Sequence, residues 1–417
     1  MSALRVLMLC KHPPIMGGTS RHGLEWARAL AHAGAQVDVV TANPGDYEPW
    51  QACTPAGRIS EDDSLTVHYA TATDRRYTVP DGTPWVSLIL GVAYRLVERR
   101  HFDAIVAFPL EPYGVAGLLL SRETGTPLYI SHAGSDLFDL AGDPQLGQIY
   151  RRVVEASRRV ICTLAGAKVF LQLGAIPEQL APLQRLDYRF PTRGPFDEVG
   201  PLKLLHYGKL APAKRIVELI RGVGDASAHG REVHLTLVGR GPKGVSDVVN
   251  REVELATEKG ASIYHRDFVG MGEVAELLSV HDCGVTLEDA AHNAGHVSSV
   301  PAEIVAAGAC LVASTTAVQR AWPLREAAVD KLNSVIVDMR RYEQLVETIE
   351  WCADHRSSVH AIGLRAQSAF ARADRPGLTE EALGSYLLEL LSPQATPASS
   401  SSEVLAFQLL SEVSHDS

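Results

Sequence analysis

No stretch of this chain approaches the roughly eighteen uncharged apolar residues that a membrane-spanning helix needs. The apolar run near the start, LRVLMLC at 4–10, is too short for a secretory signal and reads as a first strand. Cysteine is sparse. Its six residues (Cys10, Cys53, Cys162, Cys283, Cys310 and Cys352) are scattered singly, which leaves neither a disulfide framework nor a zinc-ligand spacing. Cys10, Cys162, Cys283 and Cys310 sit in or beside apolar strand-like runs, where a thiol behaves as a small hydrophobe. There is no polybasic tract, which argues against nucleic acid and against firm docking on an anionic membrane. The first strand is not followed by G-x-G-x-x-G, which disfavours a dinucleotide oxidoreductase. The expectation is a soluble, cytoplasmic protein with reduced thiols and no stable membrane insertion.

Acid is unevenly placed. Through Arg193 the chain carries 19 Lys and Arg against 19 Asp and Glu; the remainder carries 20 against 30, so the whole net charge of −10 lies there. With 417 residues, 46% hydrophobic and 21% charged, the chain is too long for one core and suggests two lobes of roughly 190 residues. Strand-like runs alternate with helical patterns throughout. The first lobe begins with the strand at 4–10, then a helix over about 20–33 with Leu24, Ala27, Leu30 and Ala31 on one face. AQVDVVTA (35–42) closes a βαβ unit. Strands at 65–70, 103–109, 127–134 and 158–164 follow, with helices over 85–100 and before Gly125. Strands at 203–207, 233–238, about 261–264, 282–287 and 309–313 repeat the alternation in the second lobe. The proline- and glycine-rich segment 190–201 reads as a linker. Expected domains are therefore 1–195 and 196–375, with a helix at 376–391 and a disordered tail at 392–417. The fold class is α/β: two doubly wound, Rossmann-like lobes facing across a cleft.

Three segments of the second lobe carry chemistry: LLHYGKLAPAKRIVELI (204–220), LTLVGRGP (235–242) and VPAEIVAAGACLVAS (300–314). The first two are apolar runs ending at glycine, which is how a buried parallel strand ends at its carboxyl edge. Ligands of open α/β sheets bind at that edge. Lys209 and Lys214 follow the first run, and cations placed there suit a diphosphate. Glu303 opens a helix after a loop, where a carboxylate can accept hydrogen bonds from vicinal ribose hydroxyls. Together they describe a nucleotide-diphosphate pocket.

In this order the segments resemble the nucleotide-sugar half of GT-B glycosyltransferases, specifically glycosyltransferase family 4. The matching positions are Gly208-Lys209-Leu210 with Lys214, Gly239-Arg240-Gly241, Phe268-Val269-Gly270, and Glu303 through Gly308. Gly17-Gly18, Leu24, Ala27, Leu30, Gly34 and Val37 match the family's amino-terminal signature, so the resemblance spans about 4–390. It implies a retaining transferase that takes a sugar from a nucleoside-diphosphate donor on the second lobe to an acceptor on the first. It also implies that the last helix packs back on the first lobe.

The resemblance assigns donor-binding roles to Gly18, Lys209, Lys214, Gly239, Phe268, Ser298, Ser299 and Glu303. Phe268 would border the base. His132 and Asp136, in a pattern like H-x-G-x-D after the strand PLYIS, are the catalytic candidates; Arg21 and His22 are acceptor contacts. The chain departs from the family in two places. Lys209 stands where arginine is usual, keeping charge but not the bidentate fork. Eight residues before Glu303, where a second glutamate is usual, stands Gly295, and the loop 288–301 is lined instead by Asn293, His296, Ser298 and Ser299. No Asp-x-Asp metal motif is positioned for use; Asp62-Asp63 and Glu288-Asp289 are adjacent pairs whose side chains point apart. The lysines would stabilise the leaving diphosphate in place of a metal, so no metal and no cofactor are expected, the sugar nucleotide being a co-substrate. The neutral first lobe suggests a small soluble acceptor, and the altered loop a non-standard sugar of specialised metabolism. Alternative readings are a surface-glycan or glycolipid transferase, an epimerase-hydrolase of the same fold, and a non-catalytic nucleotide-sugar-binding protein.

Overall fold

The computed structural model describes residues 3–47, 51–52, 64–72, 83–183, 186, 190–191, 193, 196, 198–288, 298–324, 326–372 and 378–392. The chain divides into two compact units: Met1–Tyr47, Gly57–Leu186 and Gly377–Ser417 form unit 1, and Glu48–Ala56 with Asp187–Pro376 form unit 2. The division thus falls nine residues before the expected 195/196 boundary and returns to unit 1 after Pro376. Each unit is a Rossmann-like layer of parallel strands between helices.

Unit 1 runs β1 (Arg5–Cys10), α1 (Gly18–His32), β2 (Gln36–Ala42), β3 (Leu65–Ala70), α2 (Trp85–Val97) and β4 (Ala104–Phe108). It continues with α3 (Val115–Thr124), β5 (Leu128–Ser131), α4 (Pro144–Ala156), β6 (Arg159–Cys162), α5 (Leu164–Gln172) and β7 (Leu180–Pro182). The strand order is β3-β2-β1-β4-β5-β6-β7, every pair parallel. Val6 to Cys10 and Ala104 to Phe108 are all buried, as strands covered on both faces must be. The short strand β7 was not expected, because it lacks a long apolar run.

Unit 2 runs β8 (Leu202–Tyr207), α6 (Ile216–Ala228), β9 (Val233–Val238), α7 (Lys243–Glu258), β10 (Ser262–Arg266), α8 (Met271–Val280) and β11 (Cys283–Thr286). Then come α9 (Val300–Ala306), β12 (Cys310–Ser314), α10 (Thr315–Ala321), β13 (Val335–Val337), α11 (Tyr342–Asp354) and α12 (Arg356–Ala371). Its order is β10-β9-β8-β11-β12-β13, again parallel throughout. A buried ion pair fixes the amino edge of this sheet. Asp282 accepts from the Lys203 backbone at 2.8 Å and from Arg356 Nη2 at 3.1 Å, tying β8, β11 and α12 together. Cys10, Cys162, Cys283, Cys310 and Cys352 are buried free thiols, four of them in strands. Among the described residues no helix is long and apolar enough to cross a membrane.

The last helix, α13 (Glu380–Leu391), belongs to unit 1 and packs on α1. Thr379 caps it by accepting from the Ala382 N–H at 3.2 Å. Leu383, Leu387 and Leu391 are buried in the core shared with Trp26 and Leu30. Tyr386 donates to Pro182 O at 2.6 Å and Tyr129 to Leu391 O at 3.3 Å, so the middle and the carboxyl end of the helix are pinned. Gly384 lies so close to α1 that a Cβ would stand 2.2 Å from Ala29 O. Gly384→Ala therefore overpacks this contact and is expected to cost about 1–3 kcal/mol of unit 1 stability. Thermal unfolding checks this; a melting temperature equal to that of the parent would show that α13 is not seated against α1 at this glycine.

Candidate functional site

In each sheet the strand order reverses once, between β1 and β4 in unit 1 and between β8 and β11 in unit 2. The carboxyl ends of strands at such a reversal leave the crevice in which open α/β sheets hold ligands. In unit 2 that crevice is built by backbone. Gly208 (φ 130°) and Gly239 (φ 146°) end β8 and β9 in conformations that side-chain-bearing residues rarely adopt. A Cβ on Gly239 would stand 1.8 Å from Gly208 O. The two turns are held by Gly208 N–H to Val238 O, Leu210 N–H to Arg240 O and Gly239 N–H to Arg266 O, each at 2.9 Å. The half-buried Phe268 ring lies beside Gly239. The glycine at 239 is thus required by one turn packing on the next.

Past these turns the chain carries Lys209, and then Lys214 in a short 3-10 turn before α6. Lys214 is ion-paired with Glu288, which follows β11, so the pair bridges the reversal. Ser314 Oγ donates to Glu288 O at 2.9 Å and steadies the start of that loop. Burial, followed by the charge of Lys209, pulls the Lys214 ammonium down to about 8. His206, buried on β8, donates from Nδ1 to Val285 O at 3.0 Å, which leaves Nε2 as a buried acceptor without a partner among the described residues. Burial holds its imidazole down at about 4, with Lys214 adding to the effect. A neutral histidine and a cation therefore share the crevice.

Glu303, in the first turn of α9, is only 2% exposed. Its Oε2 accepts from Tyr207 at 2.7 Å and its Oε1 from Ser299 Oγ at 2.8 Å. Tyr207 ends β8, so this carboxylate is tied to the same strand as the lysines. Ser298, also buried, accepts from the Val300 N–H at 3.4 Å. The structure thus brings Lys209, Lys214, Gly239, Phe268, Ser298, Ser299 and Glu303 to one edge of unit 2. Asn293 and His296 lie outside the described residues.

Of the Gly17-Gly18 pair, Gly17 (φ 130°) has the positive φ and is the N-cap of α1, while Gly18 is the first helical residue and has open space where a Cβ would be. Arg21 pairs with Glu25 at 2.6 Å on the same helix. His22 is half-buried, its ring packed on Trp26 (centroids 4.3 Å) and Phe108 (5.1 Å), so α1 is joined here to the end of β4. His132 follows β5 and is buried, with Nε2 3.4 Å from both the backbone N and Oγ1 of Thr163 at the start of α5. Gly166 makes room for that ring: a Cβ there would stand 2.6 Å from His132 Nε2. Phe138 and Phe170 meet the imidazole edge-on.

Asp136, the second catalytic candidate, is engaged with backbone. It is 3% exposed and accepts from the backbone N–H groups of Ala133 (2.9 Å), Gly134 (3.0 Å) and Leu110 (2.8 Å). Both oxygens are spent holding the loop after β5 against the loop after β4. Sequence reasoning missed Lys11, Glu111, His206, Tyr207 and Tyr150, and used Glu288 only to dismiss a metal. Position immediately after a strand was the available signal for Lys11, Glu111 and Glu288.

A pH test follows from the buried histidines. His12, fully buried after β1, is held down at about 4, chiefly by burial, as His206 is. Each native imidazole refuses a proton that the unfolded chain takes up near 6.5. Stability is therefore full above that pH and falls as pH drops from about 6.5 to about 4, by roughly 2–3 kcal/mol for each group. His206→Asn is expected to flatten this fall for the transition that reports unit 2. Denaturant unfolding at pH 7 and pH 4.5 measures it; an unchanged pH dependence would contradict a neutral buried His206.

Residues 17–177 match the glycosyl transferase 4-like domain family. No curated protein matches the chain in sequence. Among solved structures, Anabaena HepE in complex with UDP and glucose is 17% identical and covers 93% of this chain and 99% of its own, with a TM-score of 0.64. Sucrose-phosphate synthase from Thermosynechococcus elongatus is 14% identical over 93% of this chain and 98% of its own, at a TM-score of 0.65. An α,α-trehalose-phosphate synthase (UDP-forming) from Burkholderia vietnamiensis is 13% identical over 93% and 99%, at 0.60. At these identities the likeness establishes a shared fold.

Proposed function

We propose that this chain, which has the GT-B fold and whose residues 17–177 match the glycosyl transferase 4-like domain family, is a glycosyltransferase that moves a sugar, with retention of configuration, from a nucleoside-diphosphate donor bound by unit 2 to a small soluble acceptor bound by unit 1. The observation that carries the donor half is the placing of Lys209 and Lys214 at the reversal of the unit 2 sheet, with Lys214 already holding a carboxylate. A diphosphate oxygen replaces Glu288 on Lys214, exchanging one charge-assisted hydrogen bond for another. Ribose hydroxyls take the places of Tyr207 and Ser299 on Glu303. Because the HepE structure holds UDP and glucose and the trehalose-phosphate synthase is UDP-forming, a uridine diphosphate sugar is the first donor to try.

In the transfer, the bond from the anomeric carbon to the diphosphate oxygen breaks and the acceptor oxygen bonds to the same face of the sugar. The acceptor's proton passes to the departing phosphate oxygen, so no strong protein base is called for. Lys209 and Lys214 stabilise the charge that develops there, in place of a metal. His132, which follows β5, steadies the acceptor on unit 1. The non-standard sugar and the place in specialised metabolism rest on the sequence of the 288–301 loop, of which 289–297 lie outside the described residues.

Two measurements test this reading. Lys214→Ala is expected to weaken UDP binding by about 1.5–3 kcal/mol, the worth of a hydrogen bond to a charged group. Titration calorimetry reads it, and an unchanged affinity removes Lys214 from the diphosphate site. Transfer or hydrolysis of UDP-glucose is expected to persist in excess EDTA. Loss on chelation with recovery on adding magnesium or manganese would mean that a metal, and not the lysine pair, stabilises the leaving diphosphate.

A further inference from the structure

Unit 1 has its own strand reversal, between β1 and β4, and around it lie three polar groups that neither donor binding nor the transfer step employs. Lys11 leaves the end of β1, and Glu111 lies in the loop that leaves β4. Both side chains are half-buried, and among the described residues neither makes an ion pair or a hydrogen bond. Burial lowers the lysine and raises the glutamate from their ordinary values. Tyr150, on α4, is fully buried, and among the described residues its hydroxyl has no hydrogen-bond partner. Cys10 and Phe108, which end β1 and β4, are register partners, so Lys11 and the loop of Glu111 start side by side; Tyr150 feels the charge of Glu111 and Asp136, and Lys11 that of Asp136.

Buried phenols and half-buried ions are costly to leave unpaired, and nearly all such groups in folded proteins find partners. The loop that carries Glu111 is not loose. Asp136 accepts from Leu110 N–H, the residue before Glu111, and so fixes where that carboxylate emerges. Asp136 itself accepts three backbone hydrogen bonds and serves as the anchor between the two loops. The unused capacity is one carboxylate acceptor, one ammonium donor and one phenol.

We infer that Lys11, Glu111 and Tyr150 form a subsite for an uncharged, hydroxyl-rich acceptor, with Glu111 receiving a hydroxyl of that acceptor. This rests on the reading that unit 1 holds the acceptor. The charge argument sets the ligand class. A ligand carboxylate would face Glu111 and Asp136, and a ligand ammonium would face Lys11, whereas a neutral polyol satisfies all three groups without opposing any. The assignment also moves the centre of acceptor recognition from Arg21 and His22, which are engaged with Glu25 and with Trp26 and Phe108, to the strand reversal itself.

The test uses the full chain, with and without saturating UDP, and ligand-observed NMR of four probes: myo-inositol, glucose, glucosamine and glucuronate. The neutral pair is expected to bind more tightly than the charged pair. Glu111→Ala is expected to weaken the neutral pair tenfold or more, Glu111→Gln by less, and Tyr150→Phe by a few-fold, with UDP affinity unchanged in each. Thermal unfolding confirms that each variant is folded; if the alanine variant is not, the glutamine variant decides. Equal polyol binding by parent and Glu111 variants, a preference for either charged sugar, or no polyol binding by the parent would each overturn the subsite. Failure of the parent to bind UDP would instead sink the donor reading, and the polyol measurements made without UDP would still decide this one.

Discussion

Everything at the functional edge of unit 2 depends on two turns approaching more closely than side chains allow. Gly239 meets Gly208 O where a Cβ would stand at 1.8 Å, and the three backbone hydrogen bonds beyond β8 and β9 extend the ladder past the strands proper. This extension makes the rim a fixed piece of backbone. Lys209 leaves it, and Lys214 follows within one 3-10 turn, so two flexible cations start from an ordered base. Long side chains lose several rotamers when they bind, and a fixed base spares the further cost of ordering the chain beneath them.

That fixed edge explains the charge arrangement above it. A lysine that is mostly buried and next to a second lysine is unfavourable unless something offsets it, and Glu288 does so from across the reversal. His206 beneath them stays neutral because it is buried and faces a cation, so it adds no further repulsion. Glu288 thus offsets one of the two lysine charges before any ligand arrives. An incoming diphosphate brings the anionic charge that Glu288 otherwise supplies. The acidity of the second half of the chain, 30 acids against 20 bases, makes this local cationic spot stand against its surroundings.

Much of this was legible in the sequence because parallel strands leave a strong mark. The apolar runs at β1 and β4 are buried on both faces, β8 and β9 bury their leucines and valines, and a glycine at the end of β8 or β9 signals where the backbone must turn. The lysine, glutamate and glycine positions on unit 2 were visible for the same reason. What the sequence did not show was partnership across long separations. Tyr207 reaches Glu303 and Lys214 reaches Glu288 from 96 and 74 residues away. Asp136 was a catalytic candidate beside His132, but only the fold reveals that Leu110, from the previous strand's loop, donates to its second oxygen. Short strands such as β7 and β13 carry too few apolar residues to register as a pattern.

The two units make unlike use of the same topology. In unit 2 the charged groups at the reversal are paired with one another, Lys214 with Glu288 and Glu303 with two hydroxyls, so a ligand must displace internal partners. Such exchange trades one set of charge-assisted contacts for another and so is expected to yield far less than the bare Coulomb energy of a lysine and a phosphate. It also favours a strongly anionic ligand, since only a good competitor replaces a tethered carboxylate. In unit 1 the anchoring carboxylate, Asp136, is held by three backbone N–H groups, while among the described residues Lys11, Glu111 and the Tyr150 hydroxyl make no hydrogen bond. On the inferred acceptor reading, a ligand there gains hydrogen bonds without breaking any. On the two proposed readings together, one edge selects an anion by competition, and the other accepts a neutral molecule by completing what the fold leaves unsatisfied.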